Sequence, residues 1–101
     1  MICIINLRSD MYNIEYTSRF KKDLELMRKR NAPILELKTV ITILASGKDI
    51  PIKYRNHKLK GNLSNKWDLH IQPDWILFYI KDTVNKTIKL VRTGTHADLF
   101  R

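Results

Sequence analysis

Three histidines and a group of carboxylates crowd the C-terminal half of this chain. His57, His70 and His96 fall there, with Asp68, Asp74, Asp82 and Asp98. In KWDLHIQPDWILFYIK (66–81), the proton-carrying groups Asp68, His70 and Asp74 directly precede an apolar run from Trp75 to Ile80. An unperturbed histidine titrates at about pH 6.5, so it can both take and give a proton near neutrality. Cleavage of RNA needs that pair of roles: a base for the attacking 2′-hydroxyl, an acid for the departing 5′-oxygen, and cations for charge on the phosphorane. It needs no metal. The intervals between the histidines match no metal-ligand spacing, and the single Cys3 forms no pair, so zinc is not expected. Gly47, Gly61 and Gly94 are too scattered to make a phosphate-binding loop, which argues against a nucleotide-cofactor enzyme.

Each of these residues also has a structural reading. A lone histidine is more often a surface or hydrogen-bonded residue than a catalyst. His70 alternates with Leu69 and Ile71 and so points away from them. Asp74 follows Pro73 and, taken alone, caps a turn. Trp75 and Phe100, taken alone, read as core. The basic run from Lys21 to Arg30 reads as a solvated helix face. The residues by themselves define a small basic α+β domain with nucleic acid as its candidate partner.

The elements that must hold these residues follow from periodicity. YNIEY (12–16) alternates as a strand. Thr17 or Ser18 can cap a helix over SRFKKDLELMRKRN, with Phe20, Leu24 and Met27 on its buried stripe and a break at Asn31–Ala32. Pro33 opens a second helix, PILELKTVITILASG, which buries Leu37, Val40, Ile41 and Leu44 and ends at Gly47 in a left-handed conformation. The tight link predicts a helix hairpin. A basic loop then leads to a short strand over His57–Lys60 and a turn at Gly61–Ser64. KWDLHIQ, WILFYIK and TIKLVRT are three strands joined by short turns at Pro73–Asp74 and Asp82–Lys86, which favours antiparallel neighbours. THADLF is short enough for only one helical turn or a tail. The expected fold is α+β: an N-terminal strand and a two-helix hairpin packed on a curved antiparallel sheet of four to five strands.

At 101 residues the chain is one domain, and its formal charge of +9 points to a polyanionic partner such as RNA, DNA, a ribosome or an acidic protein. No segment reaches the roughly 20 apolar residues of a membrane span, and MICIINLRSD lacks the basic start of a signal peptide. One cysteine fits a reducing cytoplasm. Met11 opens the first alternating run, so residues 1–10 read as an extension with Met11 an alternative start, and 11–101 as the domain proper.

Three separated motifs add more than any one of them would. NHKLKGN (56–62), WDLHIQPDWILFY (67–79) and LVRTGTHADLF (90–100) resemble, in order and spacing, the motifs of the YafQ branch of the RelE-like toxins of bacterial toxin–antitoxin systems. The resemblance covers about residues 11–101. It implies a ribosome-dependent mRNA endonuclease in the bacterial cytoplasm, held inactive by a DinJ/RelB-like antitoxin and touching operator DNA only through the toxin–antitoxin complex. It implies no cofactor. Carried over by motif, His57, His70, Asp74 and His96 are the expected catalytic residues. His96 is expected as general acid, and His70 with Asp74 as general base. Lys58, Lys60, Trp75, Arg92 and Phe100 are the expected RNA-binding residues, with Arg92 a natural phosphate ligand and Asp68 an orienting group. Trp67 departs from the polar or basic residue usual before that aspartate. The alternatives are a non-catalytic RNA- or ribosome-binding protein and an inactive corepressor bound to its antitoxin.

Overall fold

The protein is described here by a computed structural model covering residues 11–59 and 65–100. Expectations for residues 1–10, for Lys60 and for the turn at Gly61–Ser64 lie outside that range. The chain runs β1 (Asn13–Tyr16), α1 (Ser18–Lys29), α2 (Ile34–Ser46), a 3-10 turn (Ile52–Tyr54), β2 (His57–Lys58), β3 (Lys66–Gln72), β4 (Trp75–Asp82), β5 (Thr87–Gly94) and α3 (His96–Leu99). The strands form one sheet in the order β1-β5-β4-β3-β2.

Local chemistry sets the helix ends. Thr17 is the N-cap of α1, accepting the Phe20 amide at 2.9 Å. Asn31 leaves α1 at φ 61°, a left-handed conformation that asparagine tolerates. Gly47 ends α2 at φ 74°, as its position in the sequence predicts. Thr95 and Asp98 form a reciprocal capping box, and this turns THADLF into a short helix rather than a tail.

From β2 to β5 the neighbours are antiparallel, as the short links predict. β1 is the exception and corrects the all-antiparallel expectation: it pairs parallel with β5, Asn13 opposite Thr87 and Tyr16 opposite Leu90. No hairpin joins these two strands, so nothing in the connection forces them to run in opposite directions. The sheet is therefore mixed.

One face of the sheet packs on the helices. Leu69, Ile71, Trp75, Leu77, Tyr79, Ile88 and Leu90 meet Phe20, Met27, Leu37, Val40 and Leu44 in one core. α1 lies chiefly on β5, and α2 on β1 and β3. Period-two alternation sends Asp68 and His70 to the opposite, open face, where they stand beside Phe78 and Ile76. A bulge beside Phe78–Tyr79, where β5 steps from Leu90 to Arg92, resets the phase of the last strand. Thr93 then takes the inward position that simple alternation from Ile88 and Leu90 would give to Arg92.

Candidate active site

Two histidine–carboxylate groups meet on the open face. The first is built by β2 and β3. His57 pairs with Asp68 across the strands. Asp68 lies between two imidazoles, one oxygen 3.9 Å from His57 Nδ1 and the other 3.9 Å from His70 Nε2. Its Oδ1 is fully buried and has no hydrogen-bond partner among the described residues. A buried carboxylate oxygen without a partner is costly, so its place between two rings calls for an explanation beyond folding alone.

The second group joins the β3–β4 turn to α3. Asp74 Oδ1 accepts the His96 backbone amide at 2.9 Å and lies 2.6 Å from His96 Nδ1. These bonds, the amide first and the ring second, hold the Asp74 carboxyl below the usual carboxylate range. Asp74 thus does more than shape its turn. The arrangement corrects the expected pairing of Asp74 with His70: Asp74 serves His96, and His70 has Asp68. The His70 and His96 rings are 5.7 Å apart, centroid to centroid, so the two groups share one site. Phe100 is 60% exposed and packs beside His96 at 5.8 Å and against Phe78 at 5.7 Å.

The platform beneath is buried and hydrogen-bonded. Trp75 is 2% exposed, and its Nε1 donates to Thr93 Oγ1 at 2.8 Å. It belongs to the core and supports the site from below, which corrects its expected place in a nucleotide pocket. Tyr79 donates to Asn56 Oδ1 at 2.6 Å and fixes the residue next to His57. Burial pushes the Tyr79 hydroxyl up to about 12, so it stays a neutral donor. Tyr54, also buried, donates to Glu36 of α2 and anchors the same loop.

Two of the expected phosphate ligands stand elsewhere. Lys58 lies opposite Trp67, whose ring stacks on Tyr79, and its ammonium sits over the indole at 6.0 Å. Alternation puts it on the other side of the strand from its neighbour His57. Arg92 is clasped by Asp23 of α1, Nε to Oδ2 at 2.8 Å and Nη2 to Oδ1 at 3.1 Å, so it is a strut rather than an open phosphate ligand.

Asp23 was legible only in part. It shares a stripe with Phe20 and Met27, and a carboxylate on a buried stripe demands a partner, but the sequence does not say which. A second clasp, Arg30 to Asp98 at 2.7 and 3.2 Å, ties the end of α1 to α3, which carries His96. It holds the Asp98 carboxyl well below its usual range, with the Thr95 amide assisting. The reading of Arg30 as one more solvated charge missed it.

Known proteins share this arrangement of elements. The chain is 38% identical over 89 residues to the mRNA interferase toxin YafQ of Escherichia coli K12, covering 87% of this chain and 95% of that one. It superposes on the toxin of the Escherichia coli DinJ–YafQ toxin–antitoxin complex with a TM-score of 0.83 at 37% identity, over 90% of this chain and 99% of the other. A metal-bound toxin from Helicobacter pylori matches at a TM-score of 0.82 and 36% identity, over 89% of this chain and all of that one (100%). In the present chain no group of three or more His, Cys, Asp or Glu side chains among the described residues is arranged to hold a metal ion. Fold and site together define a small α+β toxin of the type II toxin–antitoxin class. A family model described as "Bacterial toxin of type II toxin-antitoxin system, YafQ" matches residues 12–101, and the chain belongs to that family.

Proposed function

We propose that this toxin is an mRNA interferase that cuts translated message on the bacterial ribosome by general acid–base catalysis. The observation that carries the reading is the approach of the two histidine–carboxylate groups, with 5.7 Å between the His70 and His96 rings on an open sheet face. His70, oriented by Asp68, takes the proton of the ribose 2′-hydroxyl as that oxygen bonds to phosphorus. The bond from phosphorus to the 5′-oxygen breaks, and His96 delivers a proton to the departing oxygen. The result is a cyclic phosphate and a free 5′-hydroxyl. Asp74 holds His96 Nδ1, leaves Nε2 for this transfer, and stabilises the imidazolium. His57, on the far side of Asp68, is placed for the flanking phosphate. Phe100, exposed beside His96, offers a stacking surface for a base. These steps need no metal.

The same reading places the protein in the cytoplasm, with a DinJ-like antitoxin as its partner. No helix among the described residues is long and apolar enough to cross a membrane. The +9 charge suits both the ribosome and an acidic antitoxin segment. The test is primer extension on mRNA from a reconstituted bacterial translation reaction, using wild type and His96→Ala, with and without ribosomes. The expected result is in-frame cleavage that needs ribosomes and is lost in the variant. Intact message with wild-type protein still bound to ribosomes would make the protein a binder instead.

A further inference from the structure

The clasps on Arg92 and Arg30 raise the question of which cation faces the substrate. Arg19, Arg28, Arg30 and Arg92 each lie within 4.0 Å of a carboxylate. Arg55 has no such partner among the described residues, and it is exposed. Its backbone is also unusual. Arg55 has φ 46° and ψ 55°, a left-handed conformation that costs a non-glycine residue on the order of 1–2 kcal/mol.

Its neighbours enforce that conformation. Tyr54 is buried and bonded to Glu36, while Asn56 is bonded to Tyr79. The Arg55 amide itself closes the 3-10 turn onto the Ile52 carbonyl at 2.9 Å. The loop is pinned on both sides, and an arginine stands at a left-handed position where glycine would be easier. Strain held by the surroundings is characteristic of working residues.

Two hollows flank this residue. One, of about 180 Å³, is lined by Lys53, Arg55, His70, Gln72 and Pro73 among others. The other, of about 490 Å³, is lined by Arg55, Asn56 and His57 among others. Arg55 thus lines both the hollow that includes His70 and the hollow that includes His57. Lys53 is partly engaged, its ammonium 5.0 Å from the centre of the Tyr54 ring. A guanidinium with planar, paired donors is the side chain best suited to bind a phosphodiester in two-point contact.

We propose that Arg55 is a phosphate-binding residue of the site, gripping the RNA backbone between His57 and His70. The inference rests on the proposed RNA cleavage for its ligand, and its test separates the two. A 2′-O-methylated RNA oligonucleotide, which cannot be cleaved by its own 2′-oxygens, is titrated into the full chain while the Arg55 Nε–H and His70 ring signals are followed by NMR. Wild type, Arg55→Lys and Arg55→Gly are compared, with thermal unfolding and mRNA cleavage measured on the same samples.

Arg55→Gly is expected to bind the oligonucleotide roughly 10- to 100-fold more weakly, as loss of a charged hydrogen-bonding group implies. It is expected to melt no lower than wild type, because glycine relieves the left-handed strain. Arg55→Lys should recover only part of the binding. Unchanged affinity in Arg55→Gly would overturn the proposal, as would an Arg55 signal that the oligonucleotide never moves. Should the signal move while translated mRNA stays intact, the phosphate site stands and the proposed cleavage fails. Should mRNA be cut while Arg55→Gly binds like wild type, the cleavage stands and the site fails.

Discussion

Asp74 and Asp68 are both aspartates beside histidines, yet their surroundings differ. Asp74 is an exposed carboxylate with two short bonds to one residue; Asp68 is mostly buried, at longer range from two rings. The consequence for Asp74 has a definite sign. Its folded pKa lies below the usual carboxylate value of about 3.9, so the link to His96 is complete above that pH and is lost only as the pH falls through the lower folded value. The carbon-13 carboxyl signal of Asp74 should therefore show no titration between pH 5 and 8; a midpoint at or above the ordinary value would mean the link is absent. Asp74→Asn should keep the fold and lower the cleavage rate, since an amide holds the ring without its charge. Of the ten residues expected for the site, His57, Asp68, His70, Asp74, His96 and Phe100 gather on one face. Their motifs announce them. The pairing of each histidine with its carboxylate was not legible, because it depends on how the β3–β4 turn meets a helix more than 20 residues away, His96 lying 22 positions beyond Asp74.

At the scale of elements, α3 matters most, since four residues carry His96 and lead into Phe100. It is held by its capping box, by Arg30 and by close approach to Gly94. A Cβ on Gly94 would stand 3.0 Å from both Asp98 Cβ and Asp98 Oδ2. Space, not backbone conformation, favours glycine here, since Asp98 would have to give way to a Cβ. Gly94→Ala should therefore displace α3 and depress cleavage more than stability, with the His96 amide losing protection from hydrogen exchange as the direct sign. Thr93→Val tests the platform: it leaves the buried Trp75 N–H without an acceptor and should cost about 1–3 kcal/mol in denaturant unfolding. An unchanged midpoint would show that the indole finds another partner. Strands, helices, caps and the final turn follow from short-range patterns, so they were readable. The parallel pairing of β1, the bulge in β5 and the burial of Trp75 depend on which strands become neighbours. Alternation assigns Lys58 and His57 to opposite faces, but only the strand pairing shows which face carries the site.

For the whole molecule, charge is the dominant property. With Arg30 and Arg92 clasped by carboxylates, the positive charge serves two ends: struts within the fold and an outward field. Binding to ribosomes should weaken steadily with salt, log affinity against log salt giving a negative slope set by the number of phosphates engaged. Replacing Arg55 should make that slope shallower by about one phosphate contact, whereas Lys58, held over Trp67, should change it less. A sedimentation assay with ribosomes at stepped potassium concentrations measures both. An equal effect from the two residues would place Lys58 on the RNA path after all.

The parallel union of β1 with β5 bears on how the chain is born. Tyr16 is made well before its partner Leu90. The clasps of Asp23 on Arg92 and Arg30 on Asp98 likewise join residues 69 and 68 positions apart. At roughly 5–20 residues per second, the first strand waits several seconds for its mate to be synthesised. Until then the N-terminal strand and helix have no sheet to rest on, and His96 does not exist to complete the site. The site is thus completed only after β5 and α3 have been made, well behind the strand and helix that open the fold.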